Sequence, residues 1–159
     1  MMIKKYGVYV AAGWFTPNQI ATYEDIHNEC DKFEKEFKFY YPKEEFQFTS
    51  GTKPDKETME RVFNDNIRAI DKCDFVICST EDKDLGSIWE SGYAYKADKP
   101  VIYVNFTVPA NVPFNLMLAN SGLAIARDVY TLNSVLSCII SEGLESKTLL
   151  NFKYQDIIE

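Results

Sequence analysis

One carboxylate in the sequence lies where a leucine would pack better. Glu90 follows Trp89 and stands two residues before Gly92, within the stretch DLGSIWESGYA. A buried charge costs free energy unless it is paired or used, so these apolar surroundings need an explanation. Glu90 falls in the first turns of a predicted helix, where the helix dipole stabilises an anion, so its carboxylate could have a purely structural role. The alternative is that Glu90 takes part in binding or catalysis.

Further candidates lie near the start of that helix and in the first predicted strand. Asp84 stands where the helix begins and could be its N-cap. Gly13 follows the strand as in phosphate-binding turns, but neither GxGxxG nor GK[ST] is present, which argues against dinucleotide or triphosphate binding. Trp14 and Phe15 could be core residues or a stacking wall for a flat base. Tyr9, mid-strand, could pack in the core or donate a hydrogen bond to a carboxylate at the sheet edge.

Predicted strands and helices alternate along the chain. Strands are predicted at 6–12, 38–42, 74–80, 100–106 and 122–127, and helices at 17–37, 55–73, 87–97, 113–121 and 129–144. This order predicts a single α/β domain over residues 1–159, a flavodoxin-like or Rossmann-like three-layer sandwich on a mainly parallel five-stranded sheet. Residues 43–54 are predicted to be a loop, and Met59, Val62, Phe63, Ile67 and Ile70 share one face of their helix. Ligands of such sheets bind beyond the carboxyl ends of the strands, where the candidates lie.

The composition excludes several kinds of partner. With 159 residues and a net charge of −7, the chain offers no basic face for nucleic acid. No run approaches the roughly 18 apolar residues of a membrane helix. The four cysteines form no CxxC pair and His27 is the only histidine, so no metal site or other cofactor is expected. We interpret the cysteines as small buried side chains of a cytoplasmic protein.

Two common α/β proteins fit the sequence poorly. A response-regulator receiver needs acidic residues just after the first strand and a lysine after the last, whereas this chain has AAGWF and GLAIARD there. A serine or cysteine hydrolase needs a histidine base near a nucleophile elbow. No GxSxG is present, and His27 lies in the first helix.

Three motifs taken together resemble the nucleoside 2-deoxyribosyltransferase family. They are YVAAGWF near the N-terminus, DLGSIWESGYA in the middle and PFNLM after the next strand, and their order and spacing cover nearly the whole chain. Relatives in the same superfamily include 2′-deoxynucleoside 5′-phosphate N-hydrolases, so the motifs do not fix the reaction.

The resemblance implies a catalytic group of three residues. Glu90 falls on the family's nucleophilic glutamate, Asp84 on an acid that contacts the base and handles its proton, and Tyr9 on the tyrosine that orients the glutamate. Glu90 would attack C1′ and form a deoxyribosyl ester while Asp84, directly or through water, helps to protonate the departing base. A second base would then attack the ester, giving net retention.

The resemblance also implies the residues that bind substrate. They are Gly13, Trp14 and Phe15 beside the base, Gln47 after strand two, Asn66 where some members have an aspartate, Asn115 and Met117. In the family the residue at Asn115 reaches a neighbouring subunit's site and holds the sugar 5′-hydroxyl, and Met117 lies close to it. We therefore expect a homo-oligomer, a hexamer or a dimer. The chain ends QDIIE rather than in the tyrosine of some members, so no contact of the terminal carboxylate is expected.

Three functions remain open on the sequence alone. The first is base exchange between 2′-deoxyribonucleosides and free nucleobases. The second is hydrolysis of deoxynucleoside monophosphates, for which no basic or serine-rich loop follows strand one. The third is a non-catalytic nucleoside-binding module.

Overall fold

Five parallel strands form one sheet in the computed structural model, which describes residues 5–46, 52–153 and 158–159. The strands are β1 (Tyr6–Ala11), β2 (Phe37–Tyr40), β3 (Phe75–Ser79), β4 (Val101–Val104) and β5 (Ala124–Ala126). Their order in the sheet is β2-β1-β3-β4-β5, and all four neighbouring pairs are parallel. The predicted α/β class and five-stranded parallel sheet are therefore confirmed.

The helices cover both faces of the sheet. They are α1 (Pro17–Asp31), α2 (Pro42–Glu45), α3 (Lys56–Lys72), α4 (Leu85–Lys96), α5 (Leu116–Ser121), α6 (Val129–Glu142) and α7 (Leu150–Lys153), with 3₁₀ turns at Glu81–Lys83 and Lys147–Leu149. Side chains of α1 and α6 pack on one face, and those of α3, α4 and α5 pack on the other. This is the predicted three-layer arrangement.

The first helix and the loop after β2 differ from their predicted bounds. The first helix ends at Asp31 rather than at residue 37, because the chain turns there and Phe37 pairs with Tyr6 as the first residue of β2. Part of the predicted loop 43–54 is the short helix α2, which begins at Pro42; the fixed φ of a proline suits a first helical turn.

Alternate residues of β1 point to opposite faces of the sheet. Val8 and Val10 belong to the cluster packed against α1 and α6, whereas Tyr9 and Ala11 belong to the cluster packed against α3, α4 and α5. The period of two in a strand therefore directs Tyr9 toward the helical layer that contains Glu90. All four cysteines are free and buried, as the sequence predicts.

Candidate active site

Glu90 lies in the second turn of α4, and its carboxylate is buried close to the Tyr9 hydroxyl. Among the described residues, Tyr9 Oη and Glu90 Oε2 are both buried, and neither has a hydrogen-bond partner of strict geometry. The two groups nevertheless lie close enough for each to shift the pKa of the other. The pair therefore has unused hydrogen-bonding capacity at a buried position.

The environment of Glu90 favours its neutral form. Burial raises the pKa of Glu90 to about 7, the contact with Tyr9 opposes this rise, and the negative charge of Asp84 adds to it. Burial, followed by the charge of Glu90, raises the pKa of Tyr9 above its usual range, so Tyr9 remains a hydroxyl donor. A carboxylate with a strongly raised pKa in a cleft is a candidate reacting group.

A small pocket opens beside Glu90 between α3 and α4. Its volume is about 350 Å³, which is within the usual range for small-molecule sites. Its lining residues come from two turns of α3 and the start of α4: Phe63, Asn66, Ile67, Gly86, Trp89 and Glu90. The Asn66 Oδ1 atom is buried and has no hydrogen-bond partner among the described residues. The pocket therefore offers apolar walls and two acceptors, Asn66 Oδ1 and the Glu90 carboxylate.

Phe63 lines this pocket but was not a candidate site residue from the sequence. The sequence placed Met59 and Phe63 together on one face of α3. They are 45% and 53% exposed, and Phe63 contacts Trp89 with 5.6 Å between ring centroids. The helical spacing was correct, but a pocket wall and a core produce the same spacing. Tyr40 was also missed, although its ring stacks on Tyr9.

Asp84 caps α4 and lies against the glycine that follows β1. Its Oδ2 accepts hydrogen bonds from the Ser87 backbone N–H at 2.9 Å and the Ser87 hydroxyl at 2.6 Å. A Cβ on Gly13 would stand 2.9 Å from Asp84 Cγ and 2.6 Å from Gln19 Oε1. A side chain at position 13 would thus displace its neighbours, which is a sufficient reason for glycine there.

Trp14 and Phe15 lie outside the small pocket. Their ring centroids are 5.1 Å apart, and Phe15 is 71% exposed, so Phe15 is not a core residue. The Phe15 backbone N–H donates to Gln19 Oε1 at 2.9 Å, which fixes this loop beside Gly13. Within the described residues, neither aromatic ring lines the pocket that contains Glu90.

Asn115 and Met117 line a different pocket. That pocket has a volume of about 980 Å³ and lies on the side of α4 that carries Leu85 and Ile88. Asn115 is the N-cap of α5, and its Oδ1 accepts from the backbone N–H of Met117 at 3.0 Å and of Leu118 at 3.2 Å. Within a single chain, Asn115 therefore does not line the pocket that contains Glu90. Gln47 lies outside the described residues.

A buried carboxylate joins the loops at the carboxyl end of the sheet. Glu81 is fully buried, and its side chain accepts hydrogen bonds from Thr22 Oγ1 at 2.9 Å, from Thr107 N at 3.1 Å, and from Phe106 N. The adjacent Asp82 has a positive φ of 49° and accepts from the side chains of residues 16 and 18. The loop before α4 is thereby tied to α1 and to the loop after β4.

Two further observations concern metal ligands and membrane spans in the described part of the chain. Its His, Cys, Asp and Glu side chains form no group of three or more that could hold a metal ion. None of its helices combines the length and apolar character needed to cross a membrane.

Known proteins share the family sequence pattern and the fold of this chain. The sequence model of the family described as nucleoside 2-deoxyribosyltransferase matches residues 8–126. No curated protein matches the sequence significantly. The structure is similar to a 2-deoxyribosyltransferase from the psychrotolerant bacterium Bacillus psychrosaccharolyticus, with a TM-score of 0.65 and 22% identity, covering 80% of this chain and 90% of that chain. It is also similar to a conserved protein from Enterococcus faecalis V583, with a TM-score of 0.54 and 11% identity, covering 98% of this chain and 90% of that chain. At these identities the two structures show a shared fold.

Proposed function

Because the chain belongs to the nucleoside 2-deoxyribosyltransferase family, we propose that it transfers the 2-deoxyribosyl group of a 2′-deoxyribonucleoside to a free purine or pyrimidine base. The observation that carries this proposal is the buried Glu90 carboxylate, which faces Tyr9 and lines a small pocket. A side chain kept for packing alone would not place an ionisable group there, because burial penalises its charged form.

The reaction follows from the chemistry of a carboxylate beside an N-glycosidic bond. The ionised Glu90 attacks C1′, and a deoxyribosyl ester forms as the bond from C1′ to the base breaks through an oxocarbenium-like state. The departing base takes up a proton through Asp84, directly or through water. A second base then attacks C1′ and breaks the ester bond, which releases Glu90 as a carboxylate, and the N–H proton of this base returns by the same route to Asp84. Two inversions at C1′ give net retention.

Tyr9 and Asn66 support this chemistry from two sides. The Tyr9 hydroxyl is a donor, and its contact lowers the pKa of Glu90 against the effect of burial, which favours the reactive anion. Asn66 presents an acceptor without a partner, so the ligand that fills the pocket should carry a hydrogen-bond donor. Sugar hydroxyls and exocyclic amines of bases both meet that requirement.

The lining of the Glu90 pocket argues against a phosphate next to the nucleophile. The lining residues in the described part of the chain include no lysine or arginine. A phosphate dianion there would face a carboxylate without a compensating cation. We favour neutral deoxynucleosides as substrates because the family description names nucleosides. Lys83 and Arg127 line the pocket that contains Asn115, so 5′-monophosphates should be tested beside them. No cofactor is required.

We further propose that the active form is a homo-oligomer, a dimer or a hexamer, in which Asn115 and Met117 serve a neighbouring subunit's site. In the single chain, both residues lie away from its own Glu90 pocket. The surface around them includes exposed apolar side chains, with Leu85 at 81% and Met117 at 73%. Such a surface is typical of protein interfaces.

We also propose that residues 1–159 form one such domain. The family match ends at residue 126, but α6 packs its apolar side chains into the same core as β1 and α1. The buried free thiols suit a cytoplasmic enzyme of nucleoside salvage.

The proposed activity can be tested with purified protein and 2′-deoxyinosine, with and without adenine, followed by chromatography. Formation of 2′-deoxyadenosine together with hypoxanthine supports the proposal, and an E90A variant should lose this activity while remaining folded. Hypoxanthine with free deoxyribose would instead indicate a hydrolase. Binding without any product, for purine and pyrimidine donors alike, would indicate a non-catalytic module.

A further inference from the structure

We propose that Tyr40 is a positioning residue that holds the Tyr9 ring against Glu90 and shields the Glu90 carboxylate from water. This inference rests on the proposed function, because it assigns a role in the same reaction. Tyr40 is the last residue of β2, and neither its position in the sequence nor its residue type distinguishes it from its neighbours in FKFYYP.

The register of the sheet brings the two tyrosines together. Tyr9 of β1 and Tyr40 of β2 are directly paired residues on neighbouring parallel strands. Their rings are stacked, with centroids 5.5 Å apart and an interplanar angle of 17°. Among the described residues, Tyr40 is the one whose ring contacts the Tyr9 ring. Because β2 is an edge strand, Tyr40 covers the side of the Tyr9 ring that faces the edge of the sheet.

Tyr9 depends on such a contact because its hydroxyl is not anchored elsewhere. Tyr9 is fully buried, and the described residues provide no hydrogen bond of strict geometry to its Oη. Packing therefore determines where this hydroxyl points. Since a displacement of about 1 Å can cost on the order of a hundredfold in rate, a ring that fixes Tyr9 can control the reactivity of Glu90.

Tyr40 also interacts with charges on three surrounding helices. Its pKa is raised by burial and then by the negative charges of Glu45 on α2, Asp65 on α3 and Glu90 on α4, while Arg68 on α3 lowers it. Tyr40 is half-buried, whereas Glu45 and Arg68 are exposed. Removing the Tyr40 ring would let water approach Tyr9 and Glu90 from this side.

The adjacent residue provides a matched control. Phe39 is also half-buried on β2, but it packs in the cluster on the opposite face of the sheet, against Phe37. A Phe39→Ala change therefore removes a ring from the same strand without touching Tyr9. A Tyr40→Phe change keeps the stacked ring and removes only its hydroxyl.

The test compares Y40A, Y40F and F39A in steady-state base exchange. We expect Y40A to lower kcat by on the order of tenfold to a hundredfold with little change in KM, because Tyr40 acts through Tyr9 rather than on the substrate. Y40F and F39A should keep kcat close to the wild type. A kcat for Y40A equal to that of the wild type would overturn the proposal, as would an equal loss in Y40F and Y40A.

A second readout does not depend on catalysis. The free energy of unfolding is measured against pH for Y40A and for the double variant Y40A/E90Q. The difference between the two curves reports the protonation of Glu90 in the absence of the Tyr40 ring, because glutamine does not ionise. We expect the midpoint of this difference to lie at lower pH than for the pair formed by the wild type and E90Q, because water then solvates the carboxylate. An unchanged midpoint would overturn the shielding role. This measurement also separates the two proposals, since it remains informative if the wild type exchanges no bases.

Discussion

Replacing Glu90 by glutamine should stabilise the protein at neutral and alkaline pH. Burial raises the pKa of Glu90 from 4.5 to about 7. Between these two values the folded state keeps a proton that the unfolded chain has released, so the free energy of unfolding falls as the pH rises through this window. The loss is complete above about pH 7 and absent below about pH 4.5, where both states are protonated.

The size of the effect follows from the same pKa values. Each tenfold change in proton affinity is worth about 1.4 kcal/mol, so the rise to about 7 corresponds to about 3 kcal/mol. A glutamine has nearly the same shape as the protonated glutamic acid but does not ionise. The difference in unfolding free energy between E90Q and the wild type should therefore increase by about 3 kcal/mol between pH 4.5 and pH 8.

Urea unfolding followed by circular dichroism at several pH values measures this difference. Protein concentration must be fixed, because the stability of an oligomer depends on it. The matched control is Glu24→Gln, which makes the same chemical change at an exposed position of α1. Its difference from the wild type should stay flat within about 0.5 kcal/mol. If E90Q also gives a flat difference, Glu90 is not held in the environment described above and the reasoning fails.

Three further predictions concern activity. Because transfer needs ionised Glu90, kcat/KM should rise with pH with an apparent pKa of about 7, and a profile that is flat from pH 5 to 8 would contradict this. Gly13→Ala should reduce kcat by on the order of tenfold or more and destabilise the fold by about 1–3 kcal/mol, because the new Cβ would stand 2.9 Å from Asp84 Cγ. Unaltered kinetics and stability in this variant would show that the contact relaxes freely. Mixing E90A with an inactive N115A variant under conditions of subunit exchange should restore activity if neighbouring chains share a site, and activity no greater than the sum of the two alone would refute that sharing.

The sequence predicted the parts of the structure that depend on local pattern. Alternation of strands and helices was sufficient for the sheet, and the apolar neighbours of Glu90 marked it as an unusual carboxylate. The N-terminal position of Asp84 on α4 was also predicted, and the structure shows its capping hydrogen bonds.

Other features depend on contacts between distant segments and could not be predicted. Helical spacing alone cannot distinguish a core residue from a pocket wall, so Phe63 was placed on the apolar face of its helix but was not recognised as part of a pocket. The stack of Tyr40 on Tyr9 follows from the order and register of β1 and β2, which no local pattern encodes. The end of α1 at Asp31 is set by the pairing of Phe37 with Tyr6 rather than by a helix stop signal.

The hydrogen bonds of Glu81 have a consequence for motion during the reaction. They connect the turn before α4 with α1 and with the loop after β4, so these segments should move as one rigid body rather than open independently. The amide protons of Phe106 and Thr107, which both donate to this carboxylate, should then exchange with solvent slowly for loop residues. If the protein exchanges bases as proposed, this side of the site would act as a fixed frame while one base leaves and the next enters.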